Sequence, residues 1–503
     1  MPLRRMERNY KNAIDILNSR RRLSRPTFTL GNDVQVSTPK PGLPYDSLAK
    51  GKSDLRGTPS LVGMKQWLHD IGHSTADIDN LNIIHVAGTK GKGSTCAFIE
   101  SFLRAYGKRT GFPKTTGLYT SPHLIFPEER IRINFQPIDR DLFAKYFFQV
   151  WGALTRDGNG NKDNTATLPR YLQLLALVSF HTFIKEGVEA AIFETHHGGE
   201  YDATNVIEHP VATVITPLGM DHINQLGPNI ENIAWHKAGI FKAGSIALSS
   251  PQQPLDAEEV LRSRASEKGI KVHIVGNDPC LPADAPNLKP DVQRMNSSLA
   301  LSAVRHFLQV KAPKDTSHLS SLDILRGVNQ FSWPGRFQSL VQGPFVWFLD
   351  SAHNEMSVVK AAEWFITGIE GQSVNLARIL IFSQISKERD STMVLKRLAT
   401  ALGPIDIHHV IFTLYDPRQD LESATATMVP PKSDGKSQKE FGEIWRASQP
   451  NSQIHYEPNI QQALDLAKKI GTEAGGMHTL ITGSQHLVGG ALFSLGRAVE
   501  ERG

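Results

Sequence analysis

The segment from Leu81 to Tyr106 constrains the fold more than any other part of this sequence. Leu81–Ala87 is an apolar run of strand length, and Gly88-Thr89-Lys90-Gly91-Lys92-Gly93-Ser94 follows it at once. A helix is indicated next by residues that recur at helical spacing on one face, namely Cys96, Ile99, Leu103 and Tyr106. Strand, glycine loop and helix in this order form the setting of a phosphate-binding loop, and the sequence predicts one here.

The glycine loop carries the residues that phosphate chemistry requires. Its backbone amides can cradle phosphate oxygens, and the N-terminus of the following helix adds a favourable dipole. We expect Lys92 to neutralise phosphate charge and Ser94 or Thr95 to offer a hydroxyl to Mg²⁺. The strict Walker spacing is not met, because Gly93 separates Lys92 from Ser94. A glycine turn with a purely structural role is the alternative. The predicted binding set is Gly88, Thr89, Lys90, Gly91, Lys92, Gly93, Ser94 and Thr95.

Alternating strands and helices predict an α/β fold. Further buried strands are expected at 188–194 and 211–216, with a helix at 168–186, which favours a mostly parallel sheet. The pattern breaks at Trp333-Pro334-Gly335-Arg336 and then resumes in a second set of strand-like runs: Phe345–Leu349, Ile379–Phe382, His409–Leu414 and Thr479–Ile481. We therefore predict an N-terminal P-loop domain over 1–332, a hinge at 333–336 and a smaller Rossmann-like α/β domain over 337–503.

Three other segments are predicted from composition and periodicity. Residues 8–20 are predicted as a short amphipathic helix. Residues 26–59 and 429–440 are rich in Pro, Gly, Ser and Lys and are predicted as loops.

Composition narrows the class of protein. A net charge of +5 over 503 residues is too small to indicate a nucleic-acid-binding protein, although it is compatible with anionic ligands. Cys96 and Cys280 are the two cysteines, too few for a disulfide framework or a cysteine metal site, which fits a reducing compartment such as the cytoplasm. No apolar run has the length of a membrane span. The arginines near the N-terminus are interrupted by acidic residues, which favours a solvated basic helix over an organellar signal and leaves a mitochondrial pool open.

The segment Ile84–Thr95 resembles the Mur-ligase superfamily and, within it, the folylpolyglutamate synthase family. The resemblance recurs in collinear order over about residues 80 to 490, at Tyr119–Leu124, Glu129–Asn134, Gly198–Asn205, Gly219–His222, Ile233–Ile240, Trp333–Arg336, Leu349–His353 and Thr482–Ser484. It implies an enzyme that uses ATP to form an acyl phosphate on the glutamate tail of a folate, which the amine of an incoming L-glutamate then displaces. It also implies that the enzyme binds one or two Mg²⁺ ions. Its expected partners are small-molecule substrates only, namely ATP, a folate and L-glutamate. We expect a monomer that binds neither nucleic acid nor membrane.

The resemblance also assigns roles to individual residues. Glu194, Ser121, His222 and Ser94 match metal ligands, and Lys237 matches a lysine that is commonly carbamylated and then holds Mg²⁺. Glu194 also ends a predicted strand, the edge where open α/β sheets bind ligands. The alternatives from composition alone are an exposed strand-end glutamate, a structural histidine and a solvated lysine.

The remaining assignments concern catalysis and the nucleotide. Asp202 matches a carboxylate tied to activity, and the alternative is a capping aspartate near Thr204 and Asn205. Arg336 matches an arginine that reaches the ATP phosphates from the linker. Asn296 matches an adenine-side position, and Asp350 and His353 match contacts to the nucleotide ribose and phosphate. Lys92, Lys237, Arg336, Asp202 and His353 form the predicted catalytic set.

The sequence departs from the family on the acceptor side. Thr195-His196-His197 replaces a small apolar run, and we expect the two histidines to change the pocket wall. Residues Pro113–Gly117 resemble an insertion ahead of the serine loop, the segment Tyr119–Leu124 that contains Ser121. Two alternatives follow: a related ligase that acts on a non-folate carboxylic acid, and a nucleotide-binding relative that has lost catalysis.

Overall fold

The computed structural model describes residues 7–21, 60–155, 168–371, 376–385, 390–415 and 436–500. The chain divides into two compact units: residues up to His123 with Pro127–Phe331 form the first, and Leu124–Phe126 joins Ser332 and the residues after it in the second. Each unit has its own sheet of mostly parallel strands with helices, so the predicted α/β fold class is confirmed. The predicted loop at 26–59 lies outside the described residues.

The first unit contains a sheet of eight strands: β1 Ile84–Ala87, β2 Thr116–Tyr119, β3 Ile131–Ile133, β4 Gln136–Pro137, β5 Ala190–Glu194, β6 Ala212–Ile215, β7 Ile246–Ser249 and β8 Val272–Ile274. Their order is β4-β3-β2-β5-β1-β6-β7-β8. The six strands from β2 to β8 in that order run parallel, whereas β3 and β4 pair antiparallel at one edge. β1 therefore lies between β5 and β6 with all four residues buried, which explains why three of them are apolar. The fourth, His85, has Nε2 2.9 Å from the Thr204 hydroxyl.

The described helices of the first unit are Tyr10–Ser19, Met64–Asp70, Thr75–Asp79, Lys92–Thr110, Arg140–Leu154, Tyr171–Lys185, Ile223–Leu226, Ile230–Ala238, Leu255–Glu267, Asp291–Lys311 and Ser321–Asn329. The helix after the glycine loop packs against Asp291–Lys311 and Ser321–Asn329 as well as the sheet, so it is buried on several sides. The predicted amphipathic helix near the N-terminus forms and buries Ala13, Ile14 and Leu17. No helix in the described part of the chain combines the length and the apolar character needed to cross a bilayer.

The segment Pro113–Gly117, predicted as an insertion relative to the family, enters the sheet with its last two residues, and the insertion itself stays a prediction. Thr116 and Gly117 begin β2, which pairs with β5 on one side and β3 on the other. A Cβ on Gly117 would lie 3.0 Å from Val188 and 3.1 Å from the ring of Phe183, so glycine allows the strand to pack closely there. The segment that leads to the serine loop is thus an inner strand of the sheet.

The second unit has six strands: β9 Gln338–Gln342, β10 Phe345–Leu349, β11 Ala377–Phe382, β12 His409–Thr413, β13 Gln453–Glu457 and β14 Met477–Thr482. They lie in the order β13-β12-β11-β14-β10-β9, parallel except for β9 at the edge. Separate apolar cores cover the two faces. Its described helices are Glu355–Ile369, Ser391–Ala401, Lys436–Ser448, Ile460–Glu473 and Gln485–Glu500.

The prediction of an exposed loop over 429–440 is wrong where the structure describes it, from Lys436 onward. A helix begins there and buries Phe441 and Trp445. The buried amide of Gln438 donates hydrogen bonds to the carbonyl oxygens of Phe412 (3.0 Å) and Glu457 (3.1 Å). The polar composition therefore belongs to an amphipathic helix that packs on the sheet.

Candidate active site

The glycine loop adopts a conformation that other residues would not tolerate. Gly88 and Gly91 have φ angles of +146° and +82°. A Cβ on Gly88 would lie 1.9 Å from Oγ1 of Thr216, and one on Gly91 would lie 2.3 Å from Oδ1 of Asn296. Both positions therefore require glycine for conformation and for space. The helix that follows begins at Lys92, directly after Gly91.

The first half of the loop is anchored to the segment after β6. The amides of Thr89 and Lys90 both donate to the carbonyl oxygen of Pro217 (3.1 Å each), and the Thr89 hydroxyl donates to that of Gly219 (3.1 Å). Nζ of Lys90 lies 3.0 Å from Oδ2 of Asp221. Two backbone amides of the predicted phosphate cradle are thus occupied within the protein, so phosphate contact through these two amides stays a prediction.

A buried carboxylate lies beside the loop at the end of β5. Oε1 of Glu194 is 3.8 Å from Nζ of Lys92, and the amide of Ser121 donates to its Oε2 (3.1 Å). The Glu194 side chain is only 6% exposed, so it is not the solvated strand-end residue of the alternative interpretation. Three predicted site residues from distant parts of the chain therefore lie together at the carboxyl ends of β1, β2 and β5.

Lys237 is buried and contacts the glycine loop directly. Its Nζ donates a hydrogen bond to the carbonyl oxygen of Gly88 (2.7 Å), and the residue is 3% exposed. Burial, followed by the neighbouring Lys92 ammonium, lowers the pKa of Lys237 well below its usual range. This lysine is therefore part of the site and is not solvated.

Asp202 is surrounded by hydrogen-bond donors. Its Oδ2 accepts from the amides of His196 and His197 (2.9 Å each), and its Oδ1 accepts from the amide and hydroxyl of Thr204 (3.0 and 2.8 Å). Burial alone would raise the pKa of Asp202, but the nearby His196 imidazole and these donors outweigh it and hold the pKa below its ordinary range. The carboxylate organises the loop that follows Glu194, which is the role of a positioning residue.

The two histidines of this loop occupy different surroundings. His196 is buried, with Nε2 2.6 Å from the Tyr119 hydroxyl and Nδ1 3.2 Å from Oδ1 of Asp202. The ring of His197 instead packs against His222, with centroids 4.5 Å apart. His222 has a φ of +52°, and its amide donates to Asp221 (3.0 Å). His197 therefore packs on another predicted site residue, whereas His196 contacts Tyr119 and Asp202, and the predicted change of the pocket wall stays a prediction.

The predicted residues of the second unit gather at the carboxyl end of β10. Asp350 accepts a hydrogen bond from the amide of Phe337 (2.9 Å), and burial raises its pKa although nearby Arg336 opposes the shift. Nδ1 of His353 donates to the carbonyl oxygen of Ser351 (2.8 Å). Arg336, Asp350 and His353 thus share one edge of the second sheet.

The first unit has the oxygen donors that a hard divalent cation prefers. Glu194 supplies a carboxylate, Ser94 is buried nearby on the helix, and Oγ1 of Thr95 is buried without a hydrogen-bond partner among the described residues. The described residues contain no group of three or more His, Cys, Asp or Glu side chains placed to hold a metal. Mg²⁺ would therefore combine Glu194 and hydroxyl oxygens with oxygens from phosphate or water.

Arg130 lies beside the predicted site residue Ser121, and the sequence alone assigned it no role. It is buried and donates from one Nη to Oγ of Ser121 (2.8 Å) and from Nε to Nδ1 of His123 (2.9 Å). The segment Glu129–Asn134 was a matching motif, which is a signal that could have found it.

Comparisons with known proteins agree with this architecture. The Mur ligase middle domain model matches residues 86–279. A folylpolyglutamate synthase from Neurospora crassa is 36% identical over 522 residues, covering 98% of this chain and 92% of the relative. A probable folylpolyglutamate synthase from Schizosaccharomyces pombe is 38% identical over 455 residues, covering 88% of each chain. The solved structure of Mycobacterium tuberculosis folylpolyglutamate synthase complexed with ADP aligns with a TM-score of 0.69 and 21% identity over 97% of this chain and 98% of that one.

The fungal relatives and the matched middle domain define an ATP-dependent ligase of the Mur type, which forms amide bonds. The two fungal relatives are similar enough, over enough of the chain, to show which family it belongs to. The chain belongs to the folylpolyglutamate synthase family, which confirms the resemblance found in the sequence.

Proposed function

We propose that this protein adds L-glutamate to the glutamate tail of tetrahydrofolates in an ATP-dependent reaction that proceeds through an acyl phosphate. The names of the fungal relatives support the folate acceptor and disfavour the two alternatives, a ligase for non-folate acids and an inactive relative. The ADP bound in the mycobacterial structure supports ATP as the nucleotide substrate of this protein.

One observation carries the proposal: the Lys92 ammonium lies 3.8 Å from the buried Glu194 carboxylate, beside a loop whose first carbonyl oxygen accepts from Lys237. The Lys92 ammonium and the helix N-terminus stabilise the negative charge that develops on a transferred phosphoryl group. A carboxylate within reach of Lys92 suits a divalent cation that bridges phosphates. Lys92, Glu194 and the glycine loop together therefore suit the transfer of a phosphoryl group.

The proposed reaction has two steps, formation of the acyl phosphate and formation of the amide. A carboxylate oxygen of the folate tail attacks the γ-phosphorus of ATP, the bond to the β-phosphate oxygen breaks, and ADP leaves. The amine nitrogen of glutamate then attacks the acyl carbon, the bond to the phosphate oxygen breaks, and inorganic phosphate and a proton are released. Lys92 stabilises phosphoryl charge in the first step, and Asp202 keeps the loop after Glu194 in place for both.

Mg²⁺, when bound, would neutralise phosphate charge and polarise the γ-phosphoryl group. We propose Glu194, Ser94, Ser121, His222 and Lys237 as the residues that hold it. The lowered pKa of Lys237 supports its carbamylation, because the neutral amine is the form that reacts with carbon dioxide. The carbamate would supply an oxygen ligand where the unmodified lysine cannot.

Further residues are proposed to bind the nucleotide. Asn296 is buried against Gly91, which supports a place beside the phosphate loop. Arg336, Asp350 and His353 lie at the carboxyl end of β10, the edge where open α/β sheets bind ligands. The positive φ angles of Gly335 (+71°) and Phe337 (+46°) support a sharp turn in the proposed hinge at 333–336.

We also propose that the protein acts as a cytoplasmic monomer on small-molecule substrates. Both cysteines are free thiols, Cys96 buried and Cys280 exposed, which supports a reducing compartment.

An omission assay tests the proposed function. We expect ADP release in a mixture of Mg-ATP, tetrahydrofolate and L-glutamate to fall to background when the folate is left out. Lys92→Ala in the complete mixture should give the same background. ADP release that depends on glutamate but continues without folate would show that the acceptor is another acid.

A further inference from the structure

Arg130 places a buried positive charge among neutral groups. The residue precedes β3 and is 4% exposed. One Nη donates to Oγ of Ser121 and Nε donates to Nδ1 of His123. The ring of Tyr171 lies 5.9 Å from the guanidinium carbon. The ring attracts the guanidinium weakly as a cation–π partner, but none of these groups carries a negative charge.

The carboxylates of the site are engaged with other cations. Glu194 faces Lys92 at 3.8 Å and Asp221 faces Lys90 at 3.0 Å, and no ion pair within the described residues includes Arg130. A guanidinium keeps its proton in proteins, and a buried charge without a counter-charge is strongly unfavourable. A bound anion would supply the missing charge.

Arg132, two residues away, shows what a structural arginine in this segment looks like. Its Nε donates to the carbonyl oxygen of Glu129 (2.9 Å) and its Nη1 to that of Phe135 (3.2 Å), and the guanidinium lies over the Phe135 ring. Arg132 thus fastens the turn between β3 and β4. Arg130 contacts side chains of the serine loop instead, and the amide of Ser121 in that loop holds Glu194 (3.1 Å).

We infer that Arg130, with Ser121 and His123, forms the subsite that binds the tail carboxylate of the acceptor. The inference rests on the proposed function and names the group that recognises its acidic substrate. A guanidinium can hold a carboxylate through two parallel hydrogen bonds, which fixes position as well as charge. An anion bound here would lie beside Ser121, next to the carboxylate proposed to hold the cation.

The test compares two ligands of the full-length protein by calorimetry in the presence of Mg-ADP. One ligand is tetrahydrofolate, and the other is an analogue in which the tail carboxylates are amides. The wild type should bind the acid more tightly, and Arg130→Met should reduce this preference roughly 10- to 100-fold, the effect of losing a hydrogen bond to a charged group. Affinity for ADP should not change.

Arg132→Met is the matched control, since it removes a buried guanidinium two residues further along the same segment. It should lower the melting temperature while the preference for the acid over the amide persists. Arg130→Lys, which keeps the charge without the planar fork, should retain part of the preference. If Arg130→Met discriminates acid from amide as well as the wild type does, the inference is wrong and the proposed function stands. If wild type releases no ADP with folate and glutamate, the proposed function itself fails.

Discussion

Nζ of Lys237 donates a 2.7 Å hydrogen bond to the carbonyl oxygen of Gly88, the first residue of the glycine loop. This contact connects the end of the helix Ile230–Ala238 to the end of β1 and buries an amine among cations. Burial and the neighbouring Lys92 ammonium lower the pKa of this amine, which favours its reactive, neutral form.

We predict that Lys237 carries a carbamate when bicarbonate is present. The wild type labelled with ¹³C-bicarbonate should give a carbamate carbon resonance that is absent from Lys237→Ala. Lys242→Ala is the control, because burial also lowers the pKa of Lys242, although less deeply. A carbamate signal that survives in Lys237→Ala would assign the modification to another residue.

Alanine at Gly91 should impair nucleotide binding more than alanine at Gly111. The two residues flank the same helix with φ angles of +82° and +83°, so the backbone strain of about 1–2 kcal/mol should be similar. Only at Gly91 would the new methyl group collide with Asn296 (2.3 Å), whereas nothing lies within 4 Å at Gly111. Calorimetry should show at least tenfold weaker ATP binding by Gly91→Ala and unchanged binding by Gly111→Ala. Equal affinities would contradict the steric argument.

Asp202→Asn should destabilise the protein, because an amide nitrogen cannot accept from the backbone amides that the carboxylate now binds. Losing one or two buried hydrogen bonds should lower the free energy of unfolding by roughly 2–4 kcal/mol and reduce kcat. The control is Asp390→Asn, at an exposed helix cap that accepts from Thr392 and Met393. Asparagine also caps helices well, so its effect in urea unfolding should be below about 0.5 kcal/mol. A similar loss in both variants would rule out a special role for Asp202.

The free energy of unfolding should decrease in mild acid, because His181 is protonated more readily in the unfolded chain than in the folded one. Burial, then the neighbouring His73, lowers the pKa of His181 to about 4. The unfolded chain takes up this proton near pH 6.5, whereas the folded chain resists it until about pH 4, so the free energy of unfolding drops as the pH falls between these values. The drop from this residue should be about 3 kcal/mol by pH 4. Urea unfolding of His181→Gln should show a shallower pH dependence than the wild type; an unchanged slope would contradict the assignment.

The sequence was sufficient to predict the structural features that are formed by residues close together along the chain. β1, the glycine loop and the helix after it are contiguous, so spacing alone indicated them. The partners of His196 could not be predicted, because its contact with Tyr119 joins residues 77 positions apart in sequence. The inner strand at Thr116–Tyr119 could not be predicted either, because a strand of four residues beside a glycine shows no clear alternation.

In the second unit, the start of the helix Lys436–Ser448 could not be predicted from the sequence either, for a different physical reason. The polar stretch before Phe441 was predicted as a loop from composition, yet the Gln438 amide is buried by bonds to two strands. Composition indicates solvation on average, and it cannot show which polar side chain finds partners in the folded chain.

The most direct measurement is mass spectrometry of the products formed from Mg-ATP, L-glutamate and tetrahydrofolate whose tail carboxylates carry heavy oxygen. We predict a folate that is heavier by one glutamyl residue and inorganic phosphate that contains one heavy oxygen atom, transferred through the acyl phosphate. ADP formed without a glutamylated folate, or a glutamylated folate with unlabelled phosphate, would contradict the account.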